Sequence, residues 1–151
     1  MKHMKRLFLS FMIAASTTSW AQHLDFMGAE MGVSISDFTS QIRPRYPLQK
    51  KVGGDHYYIY KGSVYGHDTY FKAEYSRKTK TVYKITVTPK QIDQNALADS
   101  LIAHHGEALE IQGGYRWNVE GGTILLYTPE GYDCVLMYID TEGVARFREE
   151  K

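Results

Sequence analysis

The strongest constraint on the fold is a series of short strand-like segments separated by turn sequences. In residues 81–88, apolar and polar side chains alternate, so that Tyr83, Ile85 and Val87 would share one face of a strand. Strand character also marks residues 56–61, 67–75, 115–119, 123–128, 132–139 and 144–148. Turn sequences at 77–80, 129–131 and 140–143 separate several of these segments. The pattern predicts an antiparallel sheet.

The first of two predicted helices follows Ser34. Ser34 can cap it, and Asp37 three residues later resembles the second member of a capping box. The apolar positions that share one face of this helix are Ile35, Phe38 and Ile42. Pro44 is predicted to end the helix, because proline cannot continue the hydrogen-bonding pattern. A basic cluster of Arg43, Arg45, Lys50 and Lys51 then falls in a predicted solvated loop.

The second predicted helix follows Asp93, its expected cap. Ile92 and Leu97 have the spacing of a hydrophobic staple across that cap. The predicted buried stripe continues with Ala98, Leu101 and Ile102. Gly106 is predicted to end the helix with a left-handed C-terminal cap. Both helices are short, so each must be stabilised by packing against the sheet.

The order of these elements is similar in two parts of the chain. Each part runs from a helix into an aromatic strand, a glycine break and further strands, with a repeat distance of about sixty residues. We therefore predict an α+β fold of two short helices packed on antiparallel sheet, as two related helix-plus-strands halves at about 22–90 and 91–151. A coincidental likeness of two α+β units is the alternative.

The first 21 residues have the organisation of a secretory signal peptide. Lys2, Lys5 and Arg6 precede a short apolar run, and Ser19 and Ala21 provide a small-x-small cleavage signal. The apolar run is shorter than the roughly 20 residues that a membrane span requires. We therefore expect residues 1–21 to be removed and a single domain at 22–151 to be exported to the periplasm or the cell exterior. An N-terminal core helix is the alternative.

Charge and cysteine content exclude several classes of function. Loss of the three basic residues at the start would leave 15 basic against 17 acidic side chains, a net charge of −2, which argues against nucleic acid as the main partner. A single cysteine excludes an intramolecular disulfide framework and a four-cysteine metal site. After residue 21, no run in the sequence is long and apolar enough to span a membrane. No metal or cofactor is predicted.

Three groups of residues have side chains of the types that catalysis uses. His104 and His105 are expected to stabilise the end of the second helix, where partial positive charge offsets the exposed carbonyls. Adjacent helical residues point about 100° apart, so these two side chains cannot easily bind one metal ion together. Cys134 is expected in the core as a small apolar side chain. His67 and Asp68 could form a general-base pair in a small hydrolase, although no nucleophile motif accompanies them.

Tyrosines are the most informative excess in the sequence. Six of them fall between positions 57 and 75, namely Tyr57, Tyr58, Tyr60, Tyr65, Tyr70 and Tyr75. Alternation along strands would direct some of these rings away from the core, where aromatic side chains commonly contact partners. The candidate binding residues are Tyr58, Tyr60, Tyr70 and Trp117. The alternative is that these rings only build the sheet and its core.

A partial resemblance accompanies these patterns. The segment Phe26-Met27-Gly28, followed by Met31-Gly32 and a helix containing Phe38, resembles the opening of small secreted Bacteroidetes proteins, which have no assigned activity. The layout is also similar to β-lactamase-inhibitor-like and outer-membrane-assembly lipoprotein folds. These features favour a noncatalytic secreted or periplasmic module that binds a protein, peptide or glycan at the cell envelope. An envelope-assembly or structural accessory protein is the alternative, and a small hydrolase is a third.

Overall fold

A computed structural model describes residues 23–89, 93–130 and 133–149. Its helices are α1 (Ile35–Ile42), α2 (Gln94–His105) and α3 (Thr141–Glu149). Its strands are β1 (Asp25–Phe26), β2 (Ala29–Glu30), β3 (Leu48–Val52), β4 (Tyr57–Val64), β5 (His67–Tyr75), β6 (Val82–Val87), β7 (Leu109–Ile111), β8 (Gly114–Val119), β9 (Gly122–Tyr127) and β10 (Val135–Asp140). The α+β class is confirmed, with more residues in strands than in helices and a third helix beyond the two predicted.

Eight strands form one antiparallel sheet in the order β3-β4-β5-β6-β10-β9-β8-β7. Helix α1 precedes the first four of these strands in the chain, and helix α2 precedes the other four. The two sets join where β6 pairs with β10, for example at Ile85 opposite Tyr138. Strands β1 and β2 form a separate two-stranded hairpin. The described chain therefore has a helix followed by four antiparallel strands, twice.

One face of the sheet packs against α1 and α2, and we call it the helix-side face. A row of paired residues crosses it from β4 to β8: Tyr58, Ala73, Ile85, Tyr138, Ile124 and Trp117. Phe38 of α1 lies 5.9 Å from the Tyr60 ring, between centroids. Trp117 Nε1 donates a 2.9 Å hydrogen bond to the Gly106 carbonyl at the end of α2. The burial of these apolar side chains is the main stabilising contribution to the fold.

The hairpin of β1 and β2 completes this core. The Phe26 ring lies 4.8 Å from the Phe71 ring and 4.9 Å from the Tyr138 ring, between centroids. Because Phe71 belongs to the first half of the sheet and Tyr138 to the second, Phe26 packs against both halves. The core is therefore continuous across the sheet.

The predicted helix boundaries are largely confirmed. Ser34 Oγ accepts a 3.0 Å hydrogen bond from the Asp37 amide, and Asp93 accepts one of 3.2 Å from the Asn95 amide. Gly106 ends α2 as predicted, with φ +84°, but its ψ of −164° differs from that of the predicted left-handed helical cap. The assignment of Ile102 to the buried stripe was wrong, because its side chain is 39 % exposed. The predicted staple includes Ile92, which lies outside the described residues.

The predicted turn at 140–143 and strand at 144–148 were wrong, since these residues lead into and form α3. The buried Asp140 carboxylate accepts a 3.0 Å hydrogen bond from the Gly143 amide, so it caps the helix. It also accepts a hydrogen bond from the Leu24 amide and lies 3.1 Å from His23 Nδ1. The ring of Phe147 stacks on Tyr83, at 4.5 Å between centroids. Asp140 thus links the start of the described chain to its last helix.

Strands β3 and β7, the outermost strands of the large sheet, were missed. Lys50 and Lys51 consequently lie on β3, rather than in the predicted loop. Among the described residues, no helix is sufficiently long and apolar to cross a membrane.

Candidate functional site

The face of the sheet opposite α1 and α2, which we call the open face, has an unusual composition. Another row of paired residues crosses it: Lys50, Ile59, Lys72, Thr86, Met137, Leu125, Arg116 and Leu109. These side chains are half-buried or exposed. Polar residues normally dominate the solvated face of an antiparallel sheet. Here aliphatic side chains lie among basic ones.

In the first half of the sheet, this face consists largely of lysines and tyrosines. Tyr70 on β5 is 53 % exposed, and Lys61 Nζ lies 5.7 Å from the centre of its ring. Lys72 Nζ lies 5.0 Å from the centre of the Tyr57 ring. Both distances are within the range of cation–π attraction. The first half therefore presents cations held against aromatic rings.

Two hollows adjoin Tyr70. One, of about 180 Å³, is lined by Lys61, Asp68, Thr69, Tyr70 and Thr88. The other, of about 360 Å³, is lined by Ile59, Tyr70, Phe71, Lys72, Thr86 and Thr88. Tyr70 and Thr88 line both hollows, so the Tyr70 ring stands between two recesses, each containing a lysine. This arrangement could receive small polar or acidic groups from a partner.

In the second half, the same face is mainly aliphatic. The half-buried apolar side chains here are Leu125, Tyr127, Val135, Met137 and Ile139. They continue towards β7 at the sheet edge, where Leu109 is 58 % and Ile111 37 % exposed. A Cβ atom at Gly114 would overlap the Leu126 carbonyl oxygen, so the backbones of β8 and β9 approach closely here. Because most of their helix-side residues are also apolar and buried, β9 and β10 carry mainly apolar side chains on both faces.

The four predicted binding residues occupy different environments. Tyr60 and Trp117 are buried on the helix-side face, with exposed fractions of 0 % and 2 %, so their expected exposure was wrong. Tyr58 is half-buried on that same face, with its ring 5.6 Å from the Tyr75 ring. Tyr70 is the one member of the four on the open face. The structure does not bring the four residues together into one surface.

The buried tyrosines contribute to packing and hydrogen bonding. Tyr60 OH lies 2.7 Å from Thr39 Oγ1, on α1. Burial raises the pKa of Tyr60 well above its ordinary value, against the opposing effect of this hydrogen bond. Tyr60 therefore holds α1 against the sheet as a neutral phenol.

A third cavity, of about 460 Å³, lies on the helix-side face. It is lined by Asp25, Met27, Gly28, Tyr65, His104, His105 and Tyr138. Tyr65 OH lies 2.7 Å from Tyr138 OH and 3.4 Å from His105 Nε2. Burial lowers the pKa of His105, and the neighbouring His104 lowers it further. Tyr65 adopts φ +50°, a backbone conformation that bulky residues seldom take.

The fold places none of the candidate catalytic residues in a reactive arrangement. His67 pairs with Val64 on the helix-side face, whereas Asp68 pairs with Ser63 on the open face. These two side chains therefore cannot orient one another as a general-base pair. Cys134 is buried, and burial raises the pKa of its thiol, which disfavours the reactive thiolate. Within residues 23–89, 93–130 and 133–149, no three His, Cys, Asp or Glu side chains are placed to hold a metal ion.

Comparison with known proteins adds no assignment. No family model matches the chain, and no match was found among the curated proteins or the solved structures. The binding residues predicted from the sequence do not include the aliphatic part of the open face, although the sequence contains a signal for it. In residues 124–127 and 135–139, apolar residues occupy consecutive positions rather than alternate ones.

Proposed function

We propose that the chain is a noncatalytic module that binds a partner protein on the open face of its sheet. The observation that carries this proposal is the aliphatic surface of β9 and β10. Leu125 and Met137 lie directly opposite one another there, and Val135 and Tyr127 form the next pair. All four are half-buried, on the face away from α1 and α2. Contiguous apolar patches on one face typically mark interaction sites.

The energetics favour a partner for this surface. Removing apolar surface from water contributes roughly 25 cal/mol per Å², so a partner covering these side chains gains affinity without directional contacts. Aliphatic side chains complement the apolar side chains of a protein or peptide better than the hydroxyl-rich surface of a glycan. We therefore favour a protein or peptide over a glycan as the occupant.

Tyr70 extends the proposed contact surface into the first half of the sheet. Its ring is exposed and stands between two recesses, as is typical of aromatic side chains that anchor protein interfaces. Tyr58, Tyr60 and Trp117 support this function indirectly, because they lie on the helix-side face and stabilise the sheet. The proposed contact residues are accordingly Tyr70, Leu125 and Met137.

The noncatalytic part of the proposal is supported by the placement of the reactive groups. His67 and Asp68 lie on opposite faces of the sheet, and the Cys134 thiol is buried with a raised pKa. Neither arrangement activates a nucleophile. The proposed chemistry is recognition by shape and charge.

Export of the module is a separate proposal, based on the signal-peptide pattern of residues 1–21. These residues lie outside the described part of the chain. The resemblance to small secreted Bacteroidetes proteins agrees with export. Cleavage after Ala21 would make Gln22 the first residue of the mature protein, immediately before His23, which contacts Asp140. Mass spectrometry of the secreted protein should show an N-terminus at Gln22. Retention of residues 1–21 would contradict export by this route.

Site-specific photo-crosslinking tests the binding function. A photo-reactive amino acid is placed separately at Met137 and at Tyr70, and as a control at Ile102, an exposed apolar residue on α2. We expect Met137 and Tyr70 to yield an adduct with the same protein in the producing cells, and Ile102 to yield none of it. Equal labelling from Ile102, or no protein adduct from either open-face position, would contradict the proposal.

A further inference from the structure

The open face is more basic than the chain as a whole. The strand residues directed to it include five basic side chains, Lys50, Lys61, Lys72, Lys84 and Arg116, and two acidic ones, Asp68 and Glu74. The complete chain has 18 basic and 17 acidic side chains. An excess of three positive charges is therefore concentrated on one face of a nearly neutral chain. Such a surface attracts negatively charged partners.

The lysines differ in their neighbours. Lys84 Nζ lies 3.3 Å from Glu74 Oε2, so this lysine already has an acidic partner. Lys61 and Lys72 instead lie over the rings of Tyr70 and Tyr57. Across residues 23–89, 93–130 and 133–149, neither of these two lysines forms an ion pair. Their ammonium groups are held by aromatic rings while their charges remain uncompensated.

The lysines and the aliphatic surface are close enough to engage one partner. Lys72 on β5 pairs with Thr86 on β6, and Thr86 pairs with Met137 on β10. Neighbouring strands lie about 4.8 Å apart, so roughly 10 Å separates the backbone positions of Lys72 and Met137. A single segment running across the strands can therefore contact both.

We propose that the partner is an acidic protein segment. Its carboxylates would lie against Lys61 and Lys72 beside Tyr70, and its apolar side chains against Leu125 and Met137. This inference rests on the proposed function, to which it adds the chemistry of the partner. The aliphatic component distinguishes such a segment from nucleic acid, which offers negative charge and flat bases but no aliphatic side chains.

Synthetic peptides provide the test. In three short peptides of equal length, leucine alternates with glutamate, with glutamine or with lysine, and single-stranded DNA serves as a further probe. We expect the leucine–glutamate peptide to bind most tightly, in a fluorescence anisotropy titration, and its binding to weaken as NaCl concentration rises. Equal binding of the glutamine peptide would overturn the acidic partner while leaving the open face as a contact surface. Tighter binding of DNA, or no binding of the glutamate peptide, would also overturn it.

Matched variants locate the charge interaction. The double variant Lys61→Gln with Lys72→Gln should weaken binding of the leucine–glutamate peptide by about tenfold, the equivalent of two surface ion pairs. Lys51→Gln is the control, because Lys51 also lies over a tyrosine ring, that of Tyr58, but its register partner is on the helix-side face. Equal loss in the control would contradict the proposed position. Leu125→Asp should abolish peptide binding, and its failure to do so would contradict the proposed function itself.

Discussion

The two halves of the large sheet share one order of elements but present different chemistry to solvent. On the helix-side face both halves bury large aromatic side chains, such as Tyr60 in the first and Trp117 in the second. On the open face the first half has tyrosines and lysines, whereas the second has aliphatic side chains. Burial on the helix-side face thus stabilises the fold. The side chains on the open face can therefore differ between the two halves without changing the fold.

The largest effects should follow substitutions on the helix-side face. Trp117→Ala and Tyr60→Ala each remove a large buried ring together with a hydrogen bond, to the Gly106 carbonyl and to Thr39 respectively. We expect each to lower the free energy of unfolding by about 3–5 kcal/mol, measured by denaturant titration. Tyr60→Phe keeps the ring and should cost only about 1 kcal/mol. A loss of unfolding free energy below about 1 kcal/mol in both alanine variants would contradict the assignment of these two rings to the stabilising core.

Adjacent leucines on β9 separate the two faces more sharply. Leu126 is fully buried on the helix-side face, whereas Leu125 is half-buried on the open face. Leu126→Ala should cost about 2–5 kcal/mol of unfolding free energy because it leaves a cavity. Leu125→Ala should cost less, about 1 kcal/mol, because this side chain is only half-buried and its removal leaves no closed cavity. Equal costs in thermal or denaturant unfolding would mean that the open face is also part of the core.

Alkaline pH should destabilise the protein through the helix-side tyrosines. Burial is the largest cause that raises the pKa values of Tyr60, Tyr65 and Tyr138 above 10.0. In the unfolded chain these phenols ionise near pH 10, while the folded protein keeps their protons, so stability falls as pH rises above about 10. Denaturant unfolding at a series of pH values measures this. In Tyr138→Phe the fall should be smaller, and an identical fall would refute its assignment to this phenol.

The smallest effect on stability should come from Tyr70. Its ring is 53 % exposed, so Tyr70→Ala should change the free energy of unfolding by no more than about 0.5 kcal/mol. Phe71→Ala, at the adjacent buried position, is the contrasting variant and should cost about 3–5 kcal/mol. A Tyr70→Ala cost comparable to that of Phe71→Ala would assign Tyr70 to the core and remove it from the contact surface.

The sequence predicts the central elements well because local signals are strong there. The caps at Ser34 and Asp93 and the alternation of β6 agree with the structure. The outermost strands are harder to recognise. Strand β3 reads Leu-Gln-Lys-Lys-Val and pairs through a register shift, so its pattern lacks clear alternation. Lysines and irregular pairing are common at sheet edges, where they limit association with other strands.

The last helix was missed although its signals are local. Asp140 caps the Gly143 amide, and Arg146 pairs with Glu142 four residues earlier, as is typical of helices. Glycine in this stretch favoured a turn instead. The contact surface was harder still, because the face on which a tyrosine lies depends on the register of the whole sheet. A shift of one residue would exchange the faces of Tyr57 and Tyr58.

The most direct test of the open face as a contact surface combines crosslinking with stability in one protein. A photo-reactive amino acid at Met137 is used in a Leu125→Asp background and, as a control, in an Ile102→Asp background, with thermal unfolding measured on the same samples. We predict that Leu125→Asp abolishes the partner adduct while the melting temperature stays close to that of the control, in which the adduct persists. An undiminished adduct in Leu125→Asp, or a loss that occurs only because this variant unfolds, would contradict the account.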